Sequence, residues 1–336
     1  MVAFLAISAC AAYADDTCML GSGRRYGTFA MQSDGTGHFT IDPIIAGKQE
    51  RMLVDTGGVY SSLLASTVKD LGLSTSESVH ERVIDVNGHK SENITTVPTV
   101  LLGSARFREV RMVVDDDDDP LIVNSKIQGI LAPDILSAMD VDLNFAAGWM
   151  SLFDGNHCEN GVPYWSKAWA DMPFSNDEAG HIVVTVNLDG KEIPAIIDTG
   201  SPTTVMSLPE AHSVFGLEPD SPGVKPRGTL HKSNDPDQKT YSFIFGSLKM
   251  GGMEIKNPEI VLLPDNMRRQ DQKGLPDIII GLRQLSKLHL YIAFKTHTLY
   301  FTEASIGSDV FMVNVEVVNP PAKQAGDAGG TTPATH

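Results

Sequence analysis

Two stretches of the chain carry the same succession of apolar runs and turns. Residues 38–57 read HFTIDPIIAGKQERMLVDTG, and residues 181–200 read HIVVTVNLDGKEIPAIIDTG. They align without a gap at a separation of 143 residues. Each has an apolar strand, a Gly-Lys turn, a second apolar strand (Met52-Leu53-Val54; Ala195-Ile196-Ile197) and then Asp-Thr-Gly. This pattern predicts a β-hairpin that delivers an Asp at the end of its second strand.

A second matched pair follows. Residues 130–152 read ILAPDILSAMDVDLNFAAGWMSL, and residues 279–301 read IIGLRQLSKLHLYIAFKTHTLYF, now 149 apart, so the second copy carries a net insertion of six residues. Each predicts an apolar run, a short helical turn (residues 134–139 and 283–288), a strand and a hairpin. Between the landmarks, TVLLGSARFREVRMVV matches SLKMGGMEIKNPEIVLL, each a strand, a Gly turn and a strand. Short helices are predicted over residues 62–71 and 209–215, after the two Asp-Thr-Gly turns. A repeated unit of this kind predicts two mostly-β lobes.

The expected organisation is a signal segment at 1–14, a first lobe at 15–156, a linker at 157–177, a second lobe at 178–312 and a disordered tail at 313–336. The tail is rich in Pro, Gly, Ala and Thr. Residues 1–14 are small and apolar, and Ala12-Tyr13-Ala14 has the small-x-small form of a cleavage site. There is no positively charged start. Ile7-Ser8-Ala9-Cys10 also resembles a lipoprotein cleavage box, which would put a lipid on Cys10; an apolar first strand is the plainer alternative. A leader implies a secreted or periplasmic protein, and a lipid would make it an envelope lipoprotein. With the leader removed, Cys18 and Cys158 would remain, either bonded or as two free thiols.

The chain has 336 residues, 42% hydrophobic and 20% charged, with a formal charge of −16. It can bury a real core, and its acidity argues against nucleic acid and anionic membranes as partners. The acidic run at 115–119 reads as a solvated loop, because a calcium site needs alternating ligands and a turn Gly. No Cys-x-x-Cys or His-x-x-x-His spacing suggests zinc, so no metal or cofactor is expected. No Gly-x-Ser-x-Gly elbow, Walker loop or dinucleotide fingerprint occurs. His38 and His181 occupy equivalent strand starts, which the duplication explains without a function.

A single Asp-Thr-Gly is weak, because Asp and Gly favour ordinary turns. Two copies at equivalent places in a duplicated unit are specific. On Asp55-Thr56-Gly57 and Asp198-Thr199-Gly200 the chain resembles the aspartic peptidases, in a retropepsin-like form with both lobes fused in one chain. The resemblance covers residues 39–301 and implies a bilobal acid-protease fold, acting as a monomer on a peptide or protein substrate. It implies that Asp55 and Asp198 form the catalytic pair and share one proton. Thr56 and Thr199 would lock the lobes, Gly57 and Gly200 would let the backbone pass close to the carboxylates, and the Ser201 hydroxyl would bond the outer oxygen of Asp198. Residues 82–90, RVIDVNGHK, predict a flap hairpin turning at Asn87-Gly88, with Val86 beside it. An ordinary surface hairpin is the alternative. The equivalent stretch at 225–240 reads as a looser loop.

Two residues depart from the family pattern. Gly58 stands where Ser, Ala or Thr is usual, and Ala132 stands where the second Gly of an apolar-apolar-Gly signature is usual; Gly281 keeps it. These departures motivate a second reading, a peptide-binding module of weak or no activity on the same fold. A structural or envelope-interaction protein is a third, resting on the Cys10 lipid and the tail.

Overall fold

The computed structural model describes residues 19–33, 37–77, 83–84, 90–91, 93–116, 126–157, 161–229, 239–264, 276, 278–304, 310–312 and 316–317. The signal segment, Cys10, Cys18, Cys158, most of the acidic run and the flap residues Val86, Asn87 and Gly88 lie outside them. So does most of the tail.

The fold is mostly β and bilobal. A ten-stranded sheet builds the first lobe, an eleven-stranded sheet the second, and a seven-stranded sheet joins them. The two lobe sheets share one motif. In the first, strand Gly129–Leu131 runs parallel to Met52–Val54 on one side and antiparallel to Ser62–Leu64 on the other. In the second, Ile278–Ile280 sits likewise between Lys191–Ile197 and Val205–Ser207. Strands whose two faces are both covered read as nearly continuous apolar runs. Met52, Leu53, Val54, Leu131, Ile196, Ile197, Ile278 and Ile280 are all buried.

Three of the four predicted helical stretches are shorter than the pattern suggests. Residues 62–64 extend the sheet, and the helix is Ala65–Asp70. The others are Pro133–Leu136, Leu208–Phe215 and Leu282–Leu285. Leu208–Phe215 is well delimited: Ser207 accepts the Glu210 N–H at its start, and Gly216 closes it at φ 67°.

The joining sheet interleaves the repeats. Strand Asp140–Asn144 of the first lobe pairs antiparallel with Leu288–Ala293 of the second, setting Asp142 opposite Tyr291. The expected linker contributes too: Ala168–Pro173 pairs with Thr298–Glu303. Of the expected tail, Glu316–Val317 pairs with Ala168–Trp169 rather than standing free.

Two carboxylates lie inside this sheet. Asp140 and Asp142 are fully buried. A buried charge is costly unless it is paired and hydrogen-bonded. Asp140 Oδ2 accepts the Tyr291 hydroxyl at 2.8 Å and lies 2.7 Å from His157 Nε2. Asp142 Oδ1 lies 2.6 Å from His289 Nε2, and its Oδ2 accepts the Tyr164 hydroxyl at 2.5 Å. Trp165 stacks on His289 with ring centroids 4.3 Å apart. Burial, and then the neighbouring carboxylates, push both tyrosines well above their ordinary range. Each carboxylate of the first lobe therefore takes a second-lobe partner and a partner from the connecting segment.

Two other expectations change. The stretch read as a looser loop is flanked by paired strands, Lys225–Thr229 against Lys239–Ile244. The flap's flanks also pair, Val83–Ile84 against Lys90–Ser91, with Ile84 opposite Lys90. A two-residue turn at Asn87-Gly88 would set Ile84 opposite Ser91, so the observed register is one residue away from that expectation.

Candidate active site

The two Asp-Thr-Gly turns meet where the lobes touch. Each Asp ends a strand and is fixed by the central parallel neighbour. The Asp55 N–H donates to Leu131 O at 2.9 Å, and the Asp198 N–H donates to Ile280 O at 3.0 Å.

The threonines cross. The Thr56 hydroxyl donates to Ile197 O at 2.8 Å and accepts the Thr199 N–H at 3.0 Å. The Thr199 hydroxyl donates to Val54 O at 2.7 Å and accepts the Thr56 N–H at 3.0 Å. Both threonines are buried, so four hydrogen bonds between lobes are shielded from water.

The glycines are dictated by the opposite carboxyl. A Cβ on Gly57 would stand 2.2 Å from Asp198 Cγ, and one on Gly200 would stand 2.4 Å from Asp55 Cγ. No side chain fits at either position. Each turn also cradles its own carboxylate. Asp55 Oδ1 accepts the N–H groups of Gly57 (2.9 Å) and Gly58 (2.8 Å), and Asp198 Oδ1 accepts those of Gly200 (2.7 Å) and Ser201 (3.0 Å).

Ser201 therefore supports Asp198 through its main chain, not its hydroxyl. The hydroxyl donates to Thr203 O at 2.8 Å, within its own turn. The loss of a hydroxyl at Gly58 consequently removes no contact that the second lobe makes to its carboxyl.

Behind each turn a hydroxyl braces the apolar signature. Ser61 donates to Asp134 Oδ1 at 2.6 Å and accepts the Ala132 N–H at 3.0 Å. Thr204 donates to Gln284 Oε1 at 2.5 Å and accepts the Gly281 N–H at 3.0 Å. These braces escaped the sequence reading. Their signal was a hydroxyl six residues beyond each Asp.

The electrostatics follow from crowding. Burial raises Asp55 above the usual carboxylate range, against the hydrogen bond with Asp198, the two N–H groups and the charge of His181. Burial and then the charge of Asp55 push Asp198 well above that range, against its own N–H groups. Two carboxyls this close hold one proton between them, so the titration belongs to the pair. An acid and a base thus coexist at one pH, the arrangement that water attack on a carbonyl requires. Among the described residues no group of three His, Cys, Asp or Glu is placed to hold a metal ion.

Comparison with known proteins gives the chain a family. Residues 41–134 and 184–283, more than half of the chain and one segment in each lobe, match the family model described as aspartyl protease. No curated protein matches the sequence. Among solved structures, basic 7S globulin from soybean is similar over 83% of this chain and 94% of its own, at 12% identity and a TM-score of 0.44. A retropepsin-like aspartic protease from Rickettsia conorii is similar over 40% of this chain and 93% of its own, at 18% identity and a TM-score of 0.31. On the family match, the chain belongs to the aspartyl proteases.

Proposed function

We propose that the chain is an aspartic endopeptidase with Asp55 and Asp198 as its catalytic pair. The observation that carries this reading is the meeting of the two turns, which packs each carboxyl against the glycine of the opposite Asp-Thr-Gly. The ionised member takes a proton from a water held between the pair, and that water attacks the peptide carbonyl. The protonated member donates to the carbonyl oxygen, and a proton then passes to the leaving amine. Thr56 and Thr199 keep the carboxyls in register during these transfers. The substrate is an extended peptide bound by strand addition beneath the hairpin of Val83–Ile84 and Lys90–Ser91. With residues 1–14 as a leader, it would be met outside the cytoplasm.

Purified chain incubated with a mixed peptide library from pH 3 to 8 tests this. Cleavage is expected from the parent and is lost in Asp55→Asn and in Asp198→Asn. A folded parent that binds peptides without cutting them at any pH would make the chain a binding module instead. Cutting that survives both substitutions would place the chemistry elsewhere.

A further inference from the structure

A cavity of about 620 Å³ lies where the two lobes and the joining sheet come together. That is the size of a small-ligand site. One part of its wall is Val59 and Tyr60, directly after the glycines that cradle Asp55. Another is Ala179 and Gly180 of the second lobe, in a turn that Asn176 fixes by donating to Gly180 O at 3.0 Å. Tyr60 is 43% exposed, a large ring left at the surface.

The joining sheet supplies a carboxyl. Asp140 lines the cavity and is fully buried. Its Oδ2 is engaged by Tyr291 and His157, but its Oδ1 has no hydrogen-bond partner among the described residues. A buried carboxyl oxygen in that state is costly and points to a partner that binds there. The residue beside it is a glycine. A Cβ on Gly155, which also lines the cavity, would lie 3.2 Å from Asp140 Oδ1 and 3.7 Å from Lys295 Cβ. The backbone of Gly155 is not in the left-handed region, so its conformation does not demand a glycine. A side chain there would crowd the oxygen.

The surroundings favour a cation. Asp134 and Asp154 line the cavity as well, against Lys295 and His297. The Lys295 ammonium is spent elsewhere: it donates to Asn156 Oδ1 at 2.7 Å, and Asn156 Nδ2 donates to Asp154 Oδ1 at 2.6 Å. His297 packs its ring on Phe174. Each of the three carboxyls already has one oxygen committed, Asp134 to Ser61, Asp154 to Asn156 and Asp140 to Tyr291. A planar guanidinium is best met by both oxygens of one carboxyl, whereas a compact ammonium is served by one. Tyr60, Met139 and Phe294 offer apolar surface to the chain that carries it.

We propose that this cavity binds an alkylammonium group, with the ammonium on Asp140 Oδ1 and the alkyl chain against the apolar lining. It is a site separate from the Asp55–Asp198 pair. A lysine side chain of a peptide and a free alkylamine present the same chemistry to it.

Titration of the parent with n-butylammonium, followed by ¹⁵N NMR, tests this, with n-butanol as the neutral isostere. Saturable shifts of the Gly155 and Lys295 amides are expected from the amine and not from the alcohol. Gly155→Ala should weaken the amine by about tenfold or more, because a charge-assisted hydrogen bond is obstructed. Asp140→Asn should do the same, and Gly155→Ala, which leaves Asp140 and its partners in place, carries the test should Asp140→Asn not fold. Blocked Ala-Lys-Ala and Ala-norleucine-Ala peptides identify the source. Displacement of the amine by the lysine peptide alone supports the proposal and assigns a peptide side chain. An amine that neither peptide displaces supports it and assigns a free amine. Equal binding of butanol, displacement by the norleucine peptide, the absence of a saturable shift, or parent affinity in Gly155→Ala overturns it. Cleavage is not read, so a parent that cuts nothing refutes the peptidase reading and leaves these titrations unchanged.

Discussion

The methyl group of Ala132 stands where a side chain on residue 58 would need to go. A Cβ built on Gly58 would lie 3.3 Å from Ala132 Cβ and 3.0 Å from Asp55 Oδ2. In the second lobe the sizes are exchanged. Ser201 carries the side chain, and a Cβ on Gly281 would meet Thr203 O at 2.3 Å. In the first lobe the two departures from the family pattern therefore lie in contact range of each other.

Gly58→Ala alone should destabilise by about 1–3 kcal/mol through overpacking. Adding Ala132→Gly should recover part of that loss. A double-mutant cycle on urea unfolding is expected to show a favourable coupling of about 0.5–3 kcal/mol. Additive effects would mean that the methyls do not compete.

Removing the Thr56 hydroxyl should be costly although it touches no substrate. Thr56→Val leaves the Ile197 carbonyl and the Thr199 N–H buried without their partner, at about 1–3 kcal/mol each. Thr56→Ser retains both bonds and should unfold near the parent. Chemical denaturation of the three proteins distinguishes these outcomes.

The Asp55–Asp198 pair should lower stability as pH rises. Both folded carboxyls are raised above their ordinary values. The folded state therefore binds their protons more tightly than the unfolded chain does. Their contribution is fully present below about pH 4 and is lost as pH climbs through the raised range. Asp198→Asn removes the conflict, so it should melt higher than the parent at pH 7. The difference should vanish below about pH 4, which melting curves across pH would show.

Asp142 should be among the least replaceable residues outside the site. It is fully buried between His289 and Tyr164. Asp142→Asn leaves the imidazole without its carboxylate, at about 3–5 kcal/mol. Tyr291→Phe should cost less, about 1.5–3 kcal/mol, because His157 remains beside Asp140. Equal losses in the two variants would mean that the His289 contact adds nothing over the tyrosine hydrogen bond.

Much of the fold was legible because it is local. The Gly-Lys hairpins, the apolar strands ending in Asp-Thr-Gly and the separation of 143 residues are all read along the chain. What escaped depends on pairing between distant segments. Strand Arg25–Ala30 lies against Trp149–Phe153, and no local pattern announces this. The buried network did leave a trace. Asp140 and Asp142 alternate in an apolar strand, and His289 and Tyr291 stand at the matching places of the second repeat. Polar residues on the inner face of a strand signal partners, but only the paired register names them.

The joining sheet also bears on how the molecule is made. Its outer members are Arg25–Ala30 and Glu316–Val317, so it is complete only when synthesis has reached both ends of this segment. Until Leu288–Ala293 emerges from the ribosome, Asp140 and Asp142 await a phenol and an imidazole that do not yet exist. The first repeat cannot finish on its own, and a chain truncated before that strand is expected to be cleared as misfolded rather than to persist as half a molecule.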